Sequence, residues 1–142
     1  MKAQLEWKGG MVFYAYPPSG YEIHFDAHPD FGGQGKGSQP METLLCAVAA
    51  CTAMDVISIL QKKKQKITSY RLEITGERPP ENTYPRPFTK VKIRHILEGP
   101  EIAEEAVQRA VQLSDEKYCG ASATLRHQTE VTAEWVVNPP TP

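Results

Sequence analysis

The chain has 142 residues, and 16 Lys+Arg nearly balance 17 Asp+Glu for a formal net charge of -1. That length suits a single domain, residues 1–142, that buries its own core, and the charge balance gives no basic field for a phosphate backbone, which argues against nucleic acid as a partner. At 40% hydrophobic and 23% charged residues the composition is globular, and three cysteines, at 46, 51 and 119, do not make the framework of a disulfide-rich secreted domain.

The opening segment carries charge at Lys2, Glu6 and Lys8, which argues against a secretory signal. Instead, Ala3, Leu5 and Trp7 alternate with polar neighbours, Gly9-Gly10 supplies a two-residue turn, and Val12, Tyr14 and Tyr16 resume the alternation. Pro17-Pro18-Ser19-Gly20 turns the chain into a third strand through Tyr21, Ile23 and Phe25, so an antiparallel meander of three strands is expected. Residues 26–39 hold Pro29 and glycines at 32, 33, 35 and 37 and read as a loop, flexible or closely packed. They fail both phosphate-binding patterns. Lys36 is followed by Gly37 rather than Ser or Thr, and Ser38 stands where the dinucleotide fingerprint needs Gly or Ala.

At Pro40 the apolar period changes from two to three and four. Ser38 or Gln39 can cap, Pro40 fits a first turn, and Glu42 complements the helix dipole. Met41, Leu44, Leu45, Val48, Cys51, Val56, Ile59 and Leu60 predict a helix of about 25 residues, ending near the run Lys62-Lys63-Lys64-Gln65-Lys66. Its most apolar run, residues 44–54, is short of the ~20 residues that cross a bilayer, so no membrane contact is expected and a reducing cytoplasm is the default. Ala47, Ala49, Ala50 and Ala53 leave its centre without a polar face, which predicts a sheet on one side and a partner subunit on another.

Residues 67–77 and 88–97 alternate as strands through Tyr70, Leu72, Ile74, Val91 and Ile93, joined by an exposed proline-rich connection, residues 78–87. Gly99-Pro100-Glu101 opens a helix whose buried stripe is Ala103, Ala106, Val107, Ala110 and Val111. Ser114 caps a second short helical segment reaching Thr124, and residues 129–137 form a last strand. Strands and helices in this order make an α+β protein.

Cys51 lies in the middle of the long helix, and Cys119 lies near the start of a short one, where the dipole favours a thiolate. The competing reading of each is a small buried hydrophobe. Cys46, about 140° around the helix from Cys51, keeps that second reading. The histidines at 24, 28, 95 and 127 lack metal-ligand spacing, so no metal is expected.

Gln39-Pro40-Met41-Glu42-Thr43-Leu44-Leu45, running through Ala49-Ala50-Cys51-Thr52 to Met54-Asp55, is followed much later by Leu113-Ser114-Asp115-Glu116-Lys117-Tyr118-Cys119. Together these resemble the OsmC and organic hydroperoxide resistance superfamily over nearly the whole chain, most of all the OsmC-like branch with its Pro-Met-Glu helix start. The resemblance implies an OsmC-like α+β fold: an N-terminal antiparallel meander, a long central helix carrying Cys51, further antiparallel strands and a C-terminal helix pair, assembled as an intertwined homodimer. It also implies a peroxidase that needs no cofactor. Cys51 matches the peroxidatic cysteine and Cys119 the resolving one, with an organic hydroperoxide as substrate and an external dithiol as reductant.

The hydroperoxide-resistance branch has an arginine after the first Gly-Gly and a glutamate after the helix-opening proline, where this chain has Met11 and Met41. Glu42 is a candidate assisting residue, but it projects about 100° away from Met41 and suits the helix dipole better. Asp55, four residues beyond Cys51 on the same face, raises a thiol pKa and is no activator. Lys117, Arg126 or a partner's lysine remain as sources of positive charge. Met11, Phe31, Met41 and Met54 are candidates for an apolar pocket lining, against methionine's usual role of filling core gaps. Two functions stay open: thiol-dependent reduction of organic hydroperoxides in stress defence, and a non-enzymatic dimer of the same fold that binds a small apolar ligand or senses oxidants.

Overall fold

Alternation and turn chemistry build the first layer. In the computed structural model, which describes residues 1–127 and 132, β1 (Gln4–Trp7), β2 (Phe13–Tyr16) and β3 (Ile23–Phe25) form an antiparallel sheet in that order. The register sets Leu5 opposite Ala15, Trp7 opposite Phe13, Phe13 opposite Phe25 and Ala15 opposite Ile23, so these six share one face. Tyr14 and Tyr16 lie on the other, with Gln4, Glu6 and His24. That corrects the expected phase of the second strand by one residue. The tyrosines find polar partners on the outer face: Tyr14 stacks on His24 with centroids 3.7 Å apart, and the Tyr16 hydroxyl donates to Glu6. The first turn is also longer than two residues, since the Val12 N–H donates to the Gly9 carbonyl with Gly9 and Gly10 both at positive φ.

The glycine-rich loop is closely packed, and Asp26 organises it. Its carboxylate, 2% exposed, accepts the N–H groups of Ala27, Gln34 and Lys36 at 2.8, 2.8 and 3.0 Å. The Lys36 and Gln34 N–H groups hold it below the ordinary carboxylate value. A Cβ at Gly33 would lie 1.7 Å from the Ala27 carbonyl oxygen, and one at Gly37 would lie 2.5 Å from the His24 backbone.

This loop delivers the chain to α1 (Pro40–Lys62), which a capping box opens: the Gln39 N–H donates to Glu42 Oε1 at 2.6 Å. Val48, Thr52, Val56 and Leu60, spaced by four, are its buried residues. Burial on every side is not achieved within one chain, since 22% of the most apolar stretch of α1 is buried. By length and composition the whole helix is apolar enough to cross a membrane, which residues 44–54 taken alone understate.

Against α1 packs an antiparallel pair, β4 (Ser69–Glu77) and β5 (Lys90–Glu98), with Ser69 opposite Glu98 and Glu77 opposite Lys90. Burial pushes the Tyr70 phenol up and the His95 imidazole down, and the two side chains bond at 2.7 Å. Between the strands, Arg78 Nε donates to the Arg86 carbonyl and Arg86 Nε to that of Pro79. Val56 and Leu60 of α1 meet Ala110 of α2 (Glu104–Leu113) to make the core, flanked by Ile59, Ile67, Leu97 and Val107.

Two helix boundaries differ from expectation. Helix α2 begins after Gly99-Pro100-Glu101, because Glu101 takes φ 56° and Gly99 is pressed against Lys66, where a Cβ would stand 2.0 Å from the carbonyl oxygen. Ser114 opens no new helix: it closes α2 and is fully buried in a π-helical turn, Ser114–Tyr118, that continues it. The cap is Cys119, which opens α3 (Gly120–Arg126). The strand expected at 129–137 lies, apart from residue 132, outside the described residues.

Candidate functional site

Cys51 and Asp55, one turn apart on α1, share a helix face. The π-helical turn brings Cys119 to them: its N–H donates five residues back to the Ser114 carbonyl at 2.8 Å, a widened turn of the kind found at functional sites. The sulfurs of Cys51 and Cys119 and a carboxylate oxygen of Asp55 lie within 4.8 Å of one another. Cys119 is buried and Cys51 half-buried. Cys119 Sγ accepts the Ser122 N–H at 3.4 Å and donates to Ser122 Oγ at 3.2 Å. Behind Asp55, Ser114 Oγ donates to Oδ2 at 2.9 Å and pairs with Thr52 Oγ1 at 2.8 Å. With the Ser114 hydrogen directed to the carboxylate, Thr52 is the donor of that pair.

The Ala121 N–H pulls the Cys51 thiol down, while burial, Cys119 and Asp55 push it up, and the balance lies above the ordinary thiol value. None of these influences is a cation. A groove of about 440 Å³ opens at Asp55 and follows Ser58 and Ile59 of α1 to Lys62 and Lys63, walled by Leu113 and Tyr118.

Residues 33–134 match the family described as OsmC-like protein. The chain belongs to the OsmC-like family. Protein YhfA of Escherichia coli strain K12 is 37% identical over 138 residues, covering 96% of this chain and 98% of its own. The crystal structure of a hypothetical protein from Aquifex aeolicus VF5 has a TM-score of 0.75 at 30% identity, covering 88% of this chain and 86% of that one. The organic hydroperoxide resistance protein OsmC from Legionella pneumophila shares the fold, with a TM-score of 0.62 at 16% identity and 88% coverage of both chains. Helices and antiparallel strands arranged in this way are the OsmC fold that the resemblance implied.

Within this OsmC-like chain the other sequence-derived candidates are scattered. Glu42 is engaged in the capping box at the start of α1. Met11 lies over Gly32 and is exposed, as are Phe31 and Met54. Met41 lines a separate groove of about 610 Å³ with Leu44, Tyr84, Phe88 and Leu125. Lys117 sits over the Tyr118 ring, 5.2 Å from its centroid, and Arg126 pairs with Asp115. Cys46 is exposed, which corrects its reading as a buried hydrophobe. The sequence did not single out Thr52, Ser114 and Ser122 as site residues, Thr52 standing only within the motif and Ser114 as a cap, and the one available signal was the Thr52 hydroxyl in the apolar middle of a helix.

Proposed function

We propose that this OsmC-like protein is a homodimeric, thiol-dependent reductase of organic hydroperoxides that serves in cytoplasmic stress defence. The observation that carries the reading is the approach of two sulfurs, from α1 and from the start of α3, to within 4.8 Å. The Cys51 thiolate attacks the hydroperoxide, the O–O bond breaks, and the alcohol leaves with a proton while Cys51 becomes a sulfenic acid. Cys119 then displaces water to form a disulfide, and an external dithiol reopens it by exchange. The Ala121 N–H, which pulls the Cys51 thiol down, favours the thiolate that begins the sequence. The name of the Legionella protein supports this chemistry.

A second copy of the chain supplies the cover that α1 lacks. Leu5 and Trp7, 60% and 66% exposed on the apolar face of the meander, and Met54 on α1, 69% exposed, are unsuited to water as a group.

The test is one equivalent of cumene hydroperoxide added to the reduced protein, with peroxide loss, sulfenic-acid trapping and intramolecular disulfide followed by mass spectrometry. The wild type consumes peroxide and forms the bond between Cys51 and Cys119, Cys119→Ser stops at the sulfenic acid, and Cys51→Ser consumes none. A wild type that leaves the peroxide intact, or a Cys51→Ser variant as active as the wild type, refutes the reading. The raised Cys51 thiol favours a second reading, an oxidant sensor that reacts once and slowly. It differs in showing no repeated turnover when a dithiol such as dithiothreitol is supplied in excess.

A further inference from the structure

Two thiols and a carboxylate gathered at one point make an awkward set on their own. Each repels the others once ionised, and the influences acting on Cys51 are the Ala121 N–H, burial, Cys119 and Asp55, with no cation among them. The same set is well suited to hold a cation. Two sulfurs and one carboxylate oxygen lie within 4.8 Å of one another, and in a tetrahedral zinc site with metal–sulfur bonds of ~2.3 Å neighbouring donors stand about 3.5–3.8 Å apart. The gap closes by about 1.3 Å at most, which side-chain rotation supplies.

Most of the surrounding hydrogen bonds have the polarity that such a site needs, and the one from the Cys119 thiol to Ser122 Oγ reverses on ionisation, the hydroxyl then donating to the sulfur. Ser114 Oγ donates to Asp55 Oδ2 and fixes the carboxylate, with Thr52 behind it. Ser122 N–H donates to the Cys119 sulfur, and Ala121 N–H acts on that of Cys51. Donors of this kind orient ligands and stabilise thiolate charge. The groove beginning at Asp55 opens the carboxylate of the set to solvent. Histidine spacing gave no metal signal because the donors here are Cys51, Asp55 and Cys119, two from one turn of α1 and the third from the start of α3.

We infer that Cys51, Asp55 and Cys119 form a binding site for a thiophilic divalent cation, Zn²⁺ by its preference for two sulfurs and an oxygen in a tetrahedron. On binding, both S–H bonds break, two metal–sulfur bonds form, and the two protons pass to the buffer with no change of oxidation state. Solvent keeps the fourth position, the arrangement of an exchangeable rather than a closed structural site. The site does not depend on the peroxide chemistry. When filled it closes both sulfurs to hydroperoxide, and a disulfide between them expels the ion.

The experiment is a titration of reduced, metal-free protein with Co²⁺ in the absence of oxygen and peroxide. The expected result is a thiolate-to-cobalt absorption band in the near ultraviolet that saturates at one ion per chain, is displaced by Zn²⁺, and is accompanied by proton release. Cys51→Ser and Cys119→Ser each abolish the band, Cys46→Ser retains it, and Asp55→Asn weakens binding at least tenfold. Ser114→Ala, which removes only the hydroxyl that fixes the carboxylate, weakens it about 10–100-fold, with circular dichroism checking each fold. No saturating band, a band that survives either cysteine change, a band lost in Cys46→Ser, or unaltered binding by Asp55→Asn overturns the site. The readout is optical and peroxide-free, so a failure here is separate from a failure to reduce hydroperoxides.

Discussion

Asp55 and Cys51 stand one turn apart on α1, and the carboxylate helps to keep the thiol protonated. With Cys51 held above its ordinary value of 9.0, the thiolate fraction is small at neutral pH and grows as the solution becomes alkaline. The rate of peroxide loss should therefore climb through pH 9 without a plateau near 7. Asp55→Asn removes a like charge and should move the midpoint of both the rate and the thiolate absorbance to lower pH. A midpoint that stays in place would take the carboxylate out of the account. Ser114→Ala leaves the buried Thr52 hydroxyl without its acceptor and should cost about 1–3 kcal/mol in urea unfolding. The cysteine pair was legible because its flanking motifs are distinctive, and Asp55 because helical spacing places it. Ser114 and Ser122 were not. They reach the site only through the π-helical turn, and no periodicity in the sequence marks a turn widened by one residue.

Helix α1 was legible down to its first turn because Pro40 and Glu42 carry fixed meanings at a helix start. The capping box gives Glu42 a structural task that can be separated from catalysis. Glu42→Gln can still accept the Gln39 N–H and should leave peroxide reduction unchanged, whereas Glu42→Ala should cost about 0.5–1 kcal/mol in thermal or urea unfolding. Loss of activity in Glu42→Gln, with stability retained, would restore the assisting role. The glycine-rich loop was read only as far as its composition, since the three backbone donors that gather on Asp26 belong to residues whose own side chains give no hint of it. Gly33→Ala should cost about 3 kcal/mol, the upper range for forcing an atom into occupied space. The start of α2 and the facing of Tyr14 and Tyr16 were misread for related reasons: tertiary contacts at Gly99 overrode a helix-start signal, and an aromatic ring with a hydroxyl served a polar face as well as an apolar one.

At the scale of the whole molecule, the proposed homodimer rests on two surfaces. An apolar helix that is 22% buried along its most apolar stretch and a meander with Leu5 and Trp7 in solvent both call for a second copy. Light scattering at micromolar concentration should return twice the chain mass of 15.8 kDa. Met54→Arg, placing a charge on the open side of α1, should shift the population toward monomer, and a wild type that scatters as a single chain would refute the shared core.

Cys51 and Cys119 also bracket residues 52–118, a span that includes β4, β5 and α2. A bond across it removes conformational freedom from the unfolded chain worth about 4 kcal/mol for a loop of that length. The oxidant that disarms the thiols would thus harden the protein that carries them. In a culture pulsed with hydroperoxide and then heated, the oxidised molecules should outlast the reduced ones, and the soluble fraction would keep a short chemical memory of the exposure.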